Sequence, residues 1–315
     1  MMRRPSTQLI VMSLATSVLI ACEDTTPPTG ARPVTAQLEE VPGVDTTPPV
    51  IVWVIIAGPE QTGPGWWNTD VVIQWACDDG PFGSGVVESE PTKTLSAEGA
   101  NQQVTVTCVD NAGNSRTELS NQFVSIDKTP PSLAPTVSPN PVVLNSSATV
   151  SPNASDALSG VATTGCRPVV TSSVGPKTVL CFASDSAANF AEGTADYIVA
   201  WPFTGFVGLN AAPALNHAKT GGSMQVKFSL GGNRGLAILA AGSPSSQPIS
   251  CGTSAPVVTA LMAPTGAASS LSYNARTDAY TYDWKTDKSW AGTCRQLSMK
   301  LVDGTEHAAN FQFTK

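Results

Sequence analysis

Apolar and polar residues alternate with a period of two in five stretches of the chain. Val71, Ile73, Trp75 and Cys77 alternate with Val72, Gln74 and Ala76, and Val104, Val106 and Cys108 alternate with Thr105 and Thr107. Further on, Met224, Val226, Phe228 and Leu230 alternate with Gln225, Lys227 and Ser229; Tyr280, Tyr282 and Trp284 with Thr281 and Asp283; Leu297, Met299 and Leu301 with Ser298 and Lys300. Successive side chains of an extended strand face opposite sides, so each stretch predicts a strand with one face in a core and the other in water. One segment departs from this rhythm. Leu9 to Ile20 is apolar, follows Arg3 and Arg4, and is too short for a spanning helix, which is the pattern of an export signal.

The apolar run ends in Leu19-Ile20-Ala21-Cys22, which resembles the bacterial lipobox. The resemblance implies that 1–21 is a lipoprotein signal peptide and that Cys22 is lipidated and becomes the first mature residue. Acyl chains gain about 0.8 kcal/mol per buried methylene, so several on one cysteine anchor a protein without a spanning helix. From 22 to 44 the chain is rich in Thr, Pro, Ala and acid and has no aromatic residue, a disordered tether that stretches to about 70 Å at ~3.3 Å per residue. The expected location is the cell envelope, lipid-anchored, with the folded part extracytoplasmic; inner or outer membrane is left open.

Beyond the tether the sequence repeats. Asp45-Thr46-Thr47-Pro48-Pro49 returns as Asp127-Lys128-Thr129-Pro130-Pro131, Ser84-Gly85-Val86 as Ser159-Gly160-Val161, and Asp110-Asn111-Ala112-Gly113-Asn114 as Asp185-Ser186-Ala187-Ala188-Asn189. Two tandem units follow, 45–128 and 129–201. Together with Gly65-Trp66-Trp67-Asn68-Thr69-Asp70-Val71, these motifs resemble the bacterial immunoglobulin-like repeats of envelope and secreted proteins, which implies β-sandwiches. The second unit lacks the Trp-Trp segment, and its cysteines sit elsewhere: with Asp110 aligned to Asp185, Cys108 falls opposite Ala183. The remainder, 202–315, differs. Trp284 to Leu297, with Asp303-Gly304-Thr305 and Phe311-Gln312-Phe313-Thr314-Lys315, resembles the PxKF domain of bacterial exported proteins, although Gln225 replaces the proline that names the family. The expected fold class is all-β: tandem Ig-like β-sandwich modules followed by a β-rich PxKF-like module, with helix almost confined to the signal.

Six cysteines remain once Cys22 is set aside: Cys77, Cys108, Cys166, Cys181, Cys251 and Cys294, two per module. Fifteen pairings are possible in principle. Local pairing within each module is favoured because each module must fold before it meets the next. The spacing offers no CxxC or Cys/His cluster for a metal.

The net charge of −7, without a Lys/Arg cluster, argues against nucleic acid as a partner. Only His217 and His307 could serve a Ser-His-Asp site, and no Gly-x-Ser-x-Gly elbow, HExxH motif or phosphate-cradling loop accompanies them. Gly231-Gly232-Asn233-Arg234-Gly235 reads as a turn. No catalytic residue, resident metal or cofactor is therefore assigned. Asp78, Asp79, Asp110, Asn111 and Asn114 could in principle offer oxygens to calcium, but turn closure is the favoured role. Trp66 and Trp67 could stack on a sugar; neighbours in a strand face opposite sides, so core or edge packing is the stronger reading. The expected function is a non-catalytic envelope lipoprotein serving as stalk, adhesion or scaffold module. Its partners would be the membrane through the lipid on Cys22, and envelope polysaccharide or another surface protein. The alternatives are a carbohydrate-binding receptor and, third, an accessory hydrolase.

Overall fold

The computed structural model describes residues 43–56, 63–87, 92–257, 263–264 and 271–315. The signal, Cys22 and all but the end of the tether lie outside the described residues. Asp45–Lys315 is one compact unit. It is built almost wholly of strands; among the described residues the one helical element is a 3₁₀ turn, Lys288–Trp290. None of the described helices is long and apolar enough to cross a membrane.

The first repeat contains β1 (Val50–Ile56), β2 (Val71–Asp78), β3 (Thr92–Leu95), β4 (Gly99–Gln102), β5 (Thr105–Val109), β6 (Ser115–Leu119) and β7 (Val124–Ile126). β1, β2 and β3 form one antiparallel sheet, while β4 pairs with β7 and β5 with β6. The period of two now has its physical meaning. Val71, Ile73, Trp75, Val104, Val106 and Cys108 turn inward and close a core with Ile51, Val124 and Ile126. Cys77 of β2 is bonded to Cys108 of β5, so the disulfide joins strands of different sheets across that core.

The second repeat contains β8 (Ser132–Leu133), β9 (Thr136–Ser138), β10 (Val142–Val143), β11 (Thr149–Ser151), β12 (Ala154–Ser155), β13 (Val161–Cys166), β14 (Gly175–Asp185) and β15 (Phe190–Ala200). Its main sheet runs β10-β15-β14-β13. Val137, Val142, Val179, Ala195, Tyr197 and Val199 form its core. Here the disulfide does something else: Cys166 and Cys181 lie directly opposite each other on neighbouring strands.

The C-terminal module contains β16 (Leu215–Lys219), β17 (Ser223–Phe228), β18 (Ser245–Ile249), β19 (Ala263–Pro264), β20 (Leu271–Asn274), β21 (Ala279–Lys285), β22 (Cys294–Lys300) and β23 (Glu306–Thr314). Two sheets, β16-β23-β22-β18-β19 and β17-β21-β20, pack face to face. Val226, Phe228, Leu230, Tyr280, Tyr282, Trp284, Leu297, Met299 and Leu301 are all buried in the core between them. Cys251 is bonded to Cys294, completing local pairing in every module.

The second and third cores meet. Leu144 packs against both of them. The backbone N–H of Trp201 donates to Asp303 Oδ2 at 2.9 Å, and Phe203 stacks on His307 with ring centroids 3.6 Å apart.

The tight turn between β14 and β15 places Ala188 at φ +67°, where the first repeat has Gly113 at φ +92°. A Cβ is disfavoured in that left-handed region by about 1 kcal/mol, a strain glycine does not carry. Ala188→Gly is expected to raise stability by about 1 kcal/mol, less the entropy that glycine adds to the unfolded chain. Urea unfolding checks this, and a lowered midpoint would contradict the turn.

Candidate functional site

The three repeated motifs converge at one place in each repeat. In the first, Asp45 accepts from the backbone N–H of Thr47 through Oδ1 at 2.9 Å and from that of Ser84 through Oδ2 at 2.8 Å. Asp110 accepts from the N–H of Asn114 at 2.8 Å and from its side-chain amide at 2.7 Å, and that same amide donates to the Asp45 carbonyl at 3.0 Å. Asp79 Oδ2 accepts from the N–H of Gly85, which sits at φ +86°, a conformation that explains glycine in Ser-Gly-Val.

The second repeat reproduces this knot. Asp127 accepts from the N–H groups of Thr129 and Ser159 at 3.0 Å each. Asn189 donates its amide to Asp185 Oδ2 and to the Asp127 carbonyl, both at 2.8 Å. Asp156 takes the place of Asp79, accepting from Gly160 N–H at 2.7 Å.

Each knot gathers three carboxylates, Asp45, Asp79 and Asp110 in the first and Asp127, Asp156 and Asp185 in the second, with one oxygen from each within 4.8 Å of the others. Neither cluster has a salt bridge to Lys or Arg among the described residues. Backbone N–H dipoles hold the negative charge instead. They also hold the Asp45 carboxyl below its ordinary pKa, the Thr47 N–H contributing most and the Ser84 N–H next. Three carboxylate oxygens are part of the six to eight that a calcium ion takes, so these are the residues that could hold a hard cation.

The structure gathers a set different from the one suggested by sequence proximity. Asp78 instead caps its own turn through Gly80 N–H, and Asn111 donates its amide to the Ser84 carbonyl. Asp45, and the whole second cluster, escaped notice as site residues. The signal that could have found them is the repetition of Asp-x-Thr-Pro-Pro in step with Asp-x-Ala-x-Asn.

Trp66 and Trp67 are half-buried. Trp67 packs against the first core, and its backbone brackets Ile126, accepting from Asp127 N–H at 2.8 Å and donating to the Ser125 carbonyl at 2.9 Å. Trp66 closes a short hairpin with Gly63. A Cβ at position 63 would lie 1.7 Å from the Ser186 carbonyl oxygen, so the hairpin meets the second repeat at a position that only glycine fits. His217 is exposed on β16. His307 is stacked on Phe203, shares a 3.0 Å hydrogen bond with Thr305 Oγ1, and is lowered in pKa by burial.

Neither a known family's sequence pattern nor any curated protein matches the chain. Among solved structures, the chain is similar to the N-terminal eight Ig domains of Down syndrome cell adhesion molecule, at 13% identity and a TM-score of 0.29 over 84% of this chain and 32% of that one. It is also similar to the protocadherin γ-B4 extracellular domain, at 12% identity and a TM-score of 0.25 over 84% of this chain and 49% of that one. A third is the SGBP-B protein of the Bacteroides ovatus mixed-linkage glucan utilization locus, solved with a mixed-linkage heptasaccharide, at 9% identity and a TM-score of 0.21 over 84% and 70%. The chain thus spans about a third and about half of the first two structures.

Three outcomes follow, the first two from the knots. Asn189→Ala removes both amide bonds and leaves one oxygen of a carboxylate only 2% exposed without that donor, so a loss of about 2–3 kcal/mol is expected in urea unfolding. Asn114→Ala should cost a similar amount, because Asp110 is 1% exposed and bonded in the same way. Stability should also fall in acid. A carboxyl whose folded pKa is lowered contributes fully above its unfolded value of about 4, and the contribution is lost as pH falls through the folded one. Asp45, Asp278 (bonded first by Tyr273 O–H) and Asp287 (by Ser289 N–H) all shift this way. Urea midpoints measured from pH 6 to 3 should decline below about 4, and Asp45→Asn should shallow that decline.

Proposed function

We propose that the chain is a non-catalytic, lipid-anchored envelope protein in which Cys22 carries the lipid, 22–44 is the tether, and the β-modules serve as stalk, adhesion or scaffold. The observation that carries this reading is the use made of the polar groups. The buried carboxylates among the described residues are Asp110, Asp127, Asp185 and Asp303, and each belongs to a hydrogen-bonded set that holds backbone at the start of a module or between two modules. A protein built to display a surface at a distance needs such joints and needs no reaction centre. Three disulfides, one in each module, suit an oxidising extracytoplasmic compartment. The C-terminal module, which resembles PxKF domains in sequence, would be carried away from the membrane by the two repeats before it.

The accessory-hydrolase reading has little support, since His217 is exposed and His307 is engaged by Phe203 and Thr305. The anchor is tested by expressing the full chain in a bacterial host and fractionating cells. The native chain is expected in the membrane fraction and Cys22→Ser in the soluble one. Identical partitioning of the two, or an unacylated mature N-terminus by intact mass, would overturn the reading.

A further inference from the structure

The second repeat carries two aromatic side chains on its solvent-facing sheet surface that its sister repeat does not have. Phe182 on β14 and Phe190 on β15 are 38% and 57% exposed. Their ring planes are within 25° of parallel and their centroids 6.4 Å apart, too far for one ring to hide the face of the other. The strand registers of the two repeats correspond. Ser184 pairs with Phe190 and Phe182 with Glu192, as Val109 pairs with Ser115 and Thr107 with Thr117. Thr107 and Ser115 thus stand in the first repeat where Phe182 and Phe190 stand in the second, so the fold itself does not require aromatics there.

The neighbours of the pair fit one kind of ligand. Gly165, opposite Phe182 on β13, leaves room for the ring to lie over the strand: a Cβ there would be 2.5 Å from Phe182 Cζ. Beside the rings, Thr163 and Ser184 share a hydroxyl pair at 2.7 Å. Glu192 is exposed on the same strand as Phe190 and has no ion-pair partner among the described residues. Flat apolar rings pack against the C–H face of a sugar, the hydroxyls both donate and accept, and an unpaired carboxylate accepts from sugar hydroxyls while repelling acidic polymers. Two rings side by side suit consecutive units of an extended chain rather than a single sugar.

We propose that the outer face of β13–β15, centred on Phe182 and Phe190, is a binding surface for a neutral polysaccharide strand. This goes beyond the stalk reading and draws on it only for access to such polymers outside the cell. The test uses the purified full chain in pull-downs with cellulose, chitin and xylan, with alginate as the acidic comparison. Retention on at least one neutral polymer is expected. It should weaken at least tenfold in Phe182→Thr/Phe190→Ser, which installs residues that the sister repeat already folds with. Gly165→Val, which displaces the Phe182 ring while keeping it, should weaken retention too, and Phe82→Ala, which removes a phenylalanine 98% exposed elsewhere, should not. Circular dichroism and urea midpoints report whether each variant is folded. No retention on any neutral polymer, undiminished retention by the folded double variant, or retention on alginate alone would overturn the proposal. So would a dimer, seen by sedimentation, that the double variant abolishes. Cell fractionation of Cys22→Ser is unaffected by any of these results, so the two readings fail separately.

Discussion

A carboxylate taken out of water must be met by donors, and at the boundary between the two repeats one residue carries that requirement. Asp127 is 0% exposed. Its own N–H donates to the Trp67 carbonyl in the first repeat, while its carboxylate and carbonyl accept from Ser159 and Asn189 in the second. Leaving such a charge unmet would cost several kcal/mol. The donors come from 32 and 62 residues further along, so they are in place only once the second repeat has closed its loops. The boundary is therefore a shared structural element of both repeats, not a free linker.

The same solution recurs, with roles reversed, between the second repeat and the C-terminal module. Asp303, also 0% exposed, accepts from Thr305 N–H and hydroxyl through Oδ1 and reaches back to Trp201 N–H through Oδ2. Here the later module supplies the carboxylate and the earlier segment the donor. Burial of Leu144 against both cores adds an apolar contact. Polar satisfaction and apolar packing thus constrain the same joint.

Strands such as β21 were legible in the sequence because their burial follows the alternation residue by residue, as in Tyr280, Tyr282 and Trp284. The two longest, β14 and β15, were not, since Val179 to Ala183 is apolar on both faces and shows no alternation. Local disulfide pairing was legible for a related reason: each pair has to close within its own core. The short strands β8 to β12 were not. Pairs such as Ser132–Leu133 with Ala154–Ser155 have too few residues to show a period. The knots were half legible. Their motifs stood out as a repeat, but Asp45 and Asn114 are 69 residues apart, and no local pattern says that an amide at one end caps a carbonyl at the other. The aromatic face was missed because Phe182 occupies the outward phase of a strand, where a lone phenylalanine is unremarkable until its neighbour across the turn is placed beside it.

Comparison of the two repeats separates what the fold needs from what it leaves free. The knot is kept bond for bond: Asp45, Asp110 and Asn114 do what Asp127, Asp185 and Asn189 do. The disulfide is not kept, crossing the core in one repeat and joining adjacent strands in the other. A covalent bond placed differently in two repeats of one fold is a reinforcement, whereas a hydrogen-bonded set present in both is part of the frame. Residues that differ between the repeats at equivalent, solvent-facing positions are under neither constraint. Replacing hydroxyls with two adjacent exposed phenyl rings at such positions adds nothing to the core, which leaves that face free for the contact proposed for it.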